Sequence, residues 1–251
     1  MNRPYTIMWF SAGVSSAVAW KLAADQIDEV LYIHIDDQED DTLRFIREVS
    51  EWVGKPCRIL QHDEFKSVDE VCRKHRYMSG IAGARCTLTL KKEVREKWER
   101  ENIDKYPFQY VMGYDAGETL RMERVRKMNP EFTYLFPLSD LKMHKEEVHQ
   151  VLKASGIKRP RMYELGYHNN NCKGCLKAQS PSYWNKIRVD FPEVFKLRAE
   201  LSDELGVKLV KVKGERVSLS ELDPEEGKGL EPIVDECGIL CSTMNLNKAD
   251  V

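Results

Sequence analysis

With 251 residues and 42% hydrophobic content, the chain is long enough for one large α/β domain, or for a domain with a small appendage. Its 39 basic and 41 acidic residues leave a net charge of −2, which supplies no global drive toward nucleic acid. There is no N-terminal charged-plus-apolar pattern and no apolar run near roughly 18 residues, so secretion and membrane spanning are not expected and a cytoplasmic location is.

Residues 5–10 read as a strand that runs directly into Ser11-Ala12-Gly13-Val14-Ser15-Ser16, with a helix over 14–25. A small-residue turn at a strand–helix junction presents backbone N–H groups and hydroxyls at a helix N-terminus, where an anion is favoured. Small side chains let a phosphate come close to the backbone. A second strand over 30–35 ends at Asp36-Asp37, and 42–53 carries helical apolar spacing. Residues 57–60 form a third strand, 67–76 a helix, and 84–100 a further helix with a strongly charged side. Residues 108–113 form a strand entering the acidic turn Asp115-Ala116-Gly117-Glu118. This alternation predicts a parallel sheet covered on both faces, with ligands at the carboxyl ends of its strands. The Ser11–Ser16 loop, Asp36 and the Gly113–Glu118 segment all fall on that edge.

The Lys/Arg runs at 85–100 and 121–127 read as solvated helix surface. From about 128 the texture changes. Ser139 or Asp140 is expected to cap a helix over 144–154, which Gly156 ends. One or two helices cover 181–205, and 207–219 reads as a small hairpin turning at Gly214. The tail from 223 is mostly loop. We expect two parts packed as one unit: a nucleotide-binding core over 1–135, and an extension over 136–251 that holds the cysteine pair and a cysteine-containing tail.

Seven cysteines stand at 57, 72, 86, 172, 175, 237 and 241. The odd count argues against a disulfide framework and for metal ligation or thiol chemistry. Cys172-Lys173-Gly174-Cys175 has the spacing that turns two sulfurs toward one ion, and ligand spacing also allows a zinc site from Cys172, Cys175, Cys237 and Cys241. Cys57 and Cys72 fall in strand and helix patterns and read as packing residues. His34 lies in an apolar strand and reads as a core or edge residue; His168 reads equally as a ligand contact or a turn residue.

Five ordered blocks resemble the PP-loop nucleotide α-hydrolase superfamily, in its phosphoadenylyl-sulfate (PAPS) reductase-like branch. Ser11–Ser16 matches the PP-loop position. Ile35-Asp36-Asp37 with Asp41-Thr42 resembles the segment that holds the adenosine. Cys86 followed by Lys91-Lys92 resembles the cysteine-and-lysine helix of the sulfonucleotide reductases. Gly113, Glu118-Thr119, Arg121 and Arg124 are similar to the block near the phosphates. Pro137-Leu138, then Pro160-x-Met162-Tyr163-x-x-Gly166-Tyr167 and Cys172-x-x-Cys175, resembles the last run. The resemblance implies a doubly wound, mainly parallel α/β fold and a bound adenine nucleotide (PAPS, adenylyl sulfate or ATP).

The ATP-splitting members usually read Ser-Gly-Gly-x-Asp-Ser. Here Ala12 replaces a Gly and Ser15 the Asp, which argues against plain ATP pyrophosphatase chemistry and for the looser loop of the reductases. Glu236-Cys237-Gly238-Ile239 resembles the reductase nucleophile motif, although Leu240-Cys241 stands where its His would follow. The first expectation is therefore thiol-based sulfonucleotide reduction with Cys237 as nucleophile and a thioredoxin-like reductant. Lys91, Arg121 or Arg124 would pair with anionic oxygens. The second is an ATP-dependent enzyme that adenylates tRNA or DNA and inserts sulfur from a donor. It would use a [4Fe–4S] cluster on Cys86, Cys172 and Cys175 with one iron left open, an arrangement that resembles the tRNA-thiolating members; alternatively Cys237 or Cys241 supplies the fourth ligand. The third is a non-catalytic nucleotide-binding module with structural zinc. Oligomeric state stays open.

Overall fold

The computed structural model describes residues 3–80 and 83–232. In chain order it contains β1 (Tyr5–Trp9), α1 (Val14–Leu22), β2 (Glu29–Ile33), α2 (Asp41–Val53), β3 (Cys57–Leu60), α3 (Val68–His75) and the short pair β4 (Ser79–Gly80) and β5 (Gly83–Ala84). Next come α4 (Arg85–Thr87), a π-helical stretch over Leu88–Glu93, α5 (Val94–Glu101), β6 (Phe108–Val111), α6 (Thr119–Met128) and β7 (Thr133–Leu135). The C-terminal part holds α7 (Pro137–Asp140), α8 (Lys145–Ala154), α9 (Arg161–Glu164), α10 (Pro181–Asp190), α11 (Pro192–Leu205) and the hairpin β8 (Val210–Val212) and β9 (Glu215–Val217). Among the described residues no helix is long and apolar enough to cross a membrane.

Five strands form one sheet in the order β3-β2-β1-β6-β7, every pair parallel, with Ile7 opposite both Glu29 and Tyr110. This is the α/β architecture that the alternation predicts. The chain winds outward through β2 and β3 on one side of β1, then returns to β6 and β7 on the other. The connection therefore reverses between β1 and β6, and the crevice at their carboxyl ends is where such sheets bind ligands.

Strand alternation assigns the two faces. Ile7 and Trp9 join Leu31, Ile33, Phe108 and Tyr110 beneath Trp98, Met122 and Val125. Met8 and Phe10 join Val30, Tyr32 and Val111 beneath α1, α2 and α8, through Val18, Phe45 and Leu152. A third apolar cluster lies beyond the sheet, where Val71 and Cys72 of α3 meet Met162, Tyr167 and Cys175, Trp184 and Ile187 of α10, and Leu201 of α11.

Two local expectations are corrected. Residues 84–100 are not one regular helix, since a π-helical stretch interrupts them. Ser139 and Asp140 do not cap the following helix. Pro137, at the first helical position, starts the separate short helix α7 that contains them. His144 then caps α8, its N–H donating to Glu147 Oε2 at 2.8 Å.

Candidate functional site

The loop after β1 is built around an unusual backbone. Ala12 is buried in the left-handed region at φ +56°, a conformation that costs an L-residue roughly 1–2 kcal/mol. Its carbonyl accepts from Asn170 Nδ2 at 2.9 Å, and the same amide reaches Thr42 Oγ1 at 3.2 Å. Gly13 caps α1 in an extended conformation. Ser16 Oγ donates to the Gly13 carbonyl at 2.9 Å and lies 2.9 Å from Ser11 Oγ, which accepts the Gly13 N–H at 3.4 Å. The first turn of α1 carries no acidic residue, so the positive end of its dipole is not offset there. Gly113, just past β6, closes the crevice: a Cβ on it would lie 2.7 Å from Ser16 Cα and 2.8 Å from Ser16 N.

The resulting pocket is an open crevice with a cavity volume of about 90 Å³. Ser11, Gly13, Ser15, Ser16 and Gly113 form one wall. Tyr32 and Ile33 line it from β2 and Gln38 from the segment after that strand, with Tyr114, Tyr163 and Lys91 also in the lining. Such a wall of serines and loop N–H groups suits phosphate oxygens, and the apolar strand ends suit a flat ring.

The site residues anticipated from sequence divide into three groups. Ser11, Gly13, Ser15, Ser16, Lys91 and Gly113 line the pocket, while Ala12 and Val14 are buried under the loop. Asp36 does not line the pocket: its Oδ1 accepts from Gln61 Nε2 at 2.9 Å and stands 3.7 Å from His34 Nε2. Glu118, the residue that precedes α6, pairs with Arg121 on that helix; neither lines the pocket, and the Arg121 guanidinium stands 4.4 Å from the ring centre of Tyr114. Arg124 is exposed on the same helix. Gln38 was not singled out from sequence. It is buried, and its Oε1 accepts from the Tyr32 hydroxyl and, at 3.0 Å, from the Ile35 N–H. A lone amide directly after an acidic pair offers no pattern to detect it by.

A second, smaller pocket adjoins the first. Cys86, Thr87, Cys172, Cys175 and Lys177 line it, together with Lys91, which also lines the pocket at the Ser11–Ser16 loop. The π-helical stretch carries Lys91 a short way beyond Cys86; such insertions often occur at functional sites. The Lys173 N–H donates to the Asp37 carbonyl at 2.8 Å, and the Cys175 N–H donates to the Tyr183 hydroxyl at 2.8 Å. Although the three cysteines line one pocket, among the described residues no three Cys, His, Asp or Glu side chains are grouped so as to hold a metal ion. Cys237 and Cys241 lie outside the described residues.

Burial pushes the thiols of Cys57 and Cys72 up to about 12, so both stay protonated near neutral pH and act as small apolar groups. His168 Nε2 lies 3.2 Å from Glu231 Oε2, on the surface.

The family model described as the phosphoadenosine phosphosulfate reductase domain matches residues 5–178. No curated protein matches the chain. Among solved structures it is similar to phosphoadenylyl-sulfate (PAPS) reductase from Candida auris, in a phosphate complex. That likeness has a TM-score of 0.45 at 12% identity, and covers 68% of this chain and 82% of the other.

Proposed function

The chain belongs to the phosphoadenosine phosphosulfate reductase family, and on that premise we propose that it reduces an adenine sulfonucleotide to sulfite with thiol electrons. One observation carries this reading: Lys91 lines both the phosphate-type pocket at Ser11–Ser16 and the pocket of Cys86, Cys172 and Cys175. A nucleotide whose phosphate rests on the loop N–H groups would have its sulfo group directed toward a cation that borders thiols.

Lys91 offsets the negative charge of the sulfo group and the leaving phosphate, so that a thiolate can approach. The thiolate attacks sulfur, an S–S bond forms, and the S–O bond to phosphate breaks with its electron pair leaving on the nucleoside phosphate. A second thiolate then attacks the cysteine sulfur of the thiosulfonate. Sulfite departs, and two thiols have become one disulfide. This is a two-electron reduction of the transferred sulfur, and a thioredoxin-like dithiol restores the thiols. Cys237 is the nucleophile that the tail motif suggests.

The test is sulfite release from PAPS by the Cys237→Ser variant, with nucleotide affinity measured alongside. Turnover should be lost while the dissociation constant holds within about twofold, since the serine hydroxyl is a poor nucleophile without a dedicated base. Unchanged turnover would remove Cys237 from the reaction. An inactive wild-type protein, assayed reduced and with thioredoxin, would remove the reductase reading itself.

A further inference from the structure

The family-matching segment ends at residue 178, yet a side chain from beyond it reaches into the cysteine turn. Arg198 on α11 is 1% exposed, and all three of its guanidinium nitrogens are engaged. Nη2 pairs with Asp37 Oδ1, Nη1 with Asp69 Oδ1 at 2.5 Å, and Nε donates to the Gly174 carbonyl at 3.3 Å. Asp37 answers from the other side. Its second carboxylate oxygen accepts the Val68 N–H at 2.6 Å, at the first turn of α3, and its carbonyl accepts the Lys173 N–H at 2.8 Å. Arg198 and Asp37 therefore close a ring through Lys173 and Gly174, the two residues between Cys172 and Cys175.

The fit is close as well as polar. Gly174 has φ +64°, and a Cβ there would meet Val194 Cγ1 at 2.9 Å and Arg198 Cγ at 3.3 Å. α11 thus lies directly on the turn. A buried guanidinium with two carboxylates is a costly way to gain stability, since an apolar set of the same shape often does as well. What the planar fork does supply is direction: it fixes three acceptors relative to one another.

We propose that Arg198 is a positioning residue of the thiol pocket, setting where Cys172 and Cys175 stand relative to Cys86 and Lys91. Its kinetic readout rests on the reductase reading, while its geometry does not. Arg198→Lys keeps the positive charge between Asp37 and Asp69 but cannot hold both carboxylates and the Gly174 carbonyl in one plane. Arg198→Met removes the charge altogether.

Four measurements belong together: the thermal melt, PAPS affinity, kcat and KM for sulfite release, and iodoacetamide labelling of Cys172 and Cys175 read by mass spectrometry. For Arg198→Lys we expect a cooperative melt, unchanged PAPS affinity and KM, and kcat lowered about ten- to a hundredfold, as for a misplaced reacting group. Labelling of both cysteines should change about tenfold or more. Wild-type kcat and labelling in Arg198→Lys would overturn the proposal and leave Arg198 as a strut between α11 and α3. Should Arg198→Met fail to fold, the lysine variant still decides. Should the wild type release no sulfite, the reductase reading falls and the labelling rates alone decide Arg198.

Discussion

Gly113 and Asn170 both act on the loop after β1, and each can be tested alone. A Cβ at Gly113 would press on Ser16 backbone atoms at 2.7 and 2.8 Å, and a backbone neighbour in a helix N-terminus cannot swing aside. We expect Gly113→Ala to cost about 1–3 kcal/mol by urea unfolding and to weaken adenine nucleotide binding at least tenfold by titration calorimetry. Wild-type affinity would show that the loop yields without moving its N–H groups. Asn170→Ala strips the buried Ala12 carbonyl of its donor, a loss of about 1–3 kcal/mol, and leaves the left-handed Ala12 without its brace. Gly113 was legible from sequence because it follows an apolar strand and precedes an acidic turn. Asn170 was legible only as one of three asparagines before the cysteine pair. Nothing local connects it to a loop 158 residues away, because that contact exists only once the fold has formed.

At the N-terminus of α2, Asp41 and Arg44 tie that helix to the stretch 158–161. Both its carboxylate oxygens accept from Arg44 at 2.6 Å, and Oδ2 also accepts the Arg161 N–H at 2.9 Å, while Arg44 reaches the carbonyls of Lys158 and Arg159 at 3.1 Å. The Arg44 hydrogen bonds, then the Arg161 N–H, hold the Asp41 carboxyl below its ordinary 3.8 despite partial burial. A depressed folded value means that this contribution is fully present above about pH 4 and is lost as pH falls through the lower, folded pKa. Asp41→Asn should therefore lower Tm by a few degrees at pH 7, with the gap to wild type closing below pH 4. A gap that does not narrow at all as pH falls below 4 would assign the effect to shape rather than charge. The elements themselves show what periodicity can and cannot resolve. Residues 42–53 were readable because Phe45, Ile46 and Val49 repeat on one buried face. The π-helical stretch over 88–93 was not, since one extra residue per turn leaves a pattern that passes for a regular helix. β7 escaped notice because three residues between Pro130 and Phe136 are too few to display alternation, and its pairing with β6 is what makes it a strand.

Packing crosses residue 135 in two of the apolar cores. Leu138, Val148 and Leu152 share a core with α1, and Ile35, Val68 and Val71 share another with Tyr183, Trp184, Ile187 and Leu201. The sheet and its loop could be read early because their signals are local. The third core could not, because it joins α3 to helices more than a hundred residues later. This gives a test of the molecule as a unit: cut the chain after residue 178, so that the whole family-matching segment remains. The cut removes Tyr183, Trp184, Ile187, Leu201, Leu209 and Val210 from that core and strips Asp37 and Asp69 of Arg198. At about 1.5–3 kcal/mol per buried large side chain, the lost burial is on the order of 10 kcal/mol, comparable with the ~5–15 kcal/mol that a whole domain has to spare. Fragment 1–178 should therefore show no cooperative thermal transition by circular dichroism, bind a hydrophobic dye, and lose nucleotide binding although every residue lining the pocket at the Ser11–Ser16 loop is retained. A cooperative melt with wild-type nucleotide affinity would make the matched segment self-sufficient and reduce α10 and α11 to an accessory. The packing argues otherwise, because the turn that carries Cys172 and Cys175 lies between α3 and α11 and loses one of its two walls when the chain is cut.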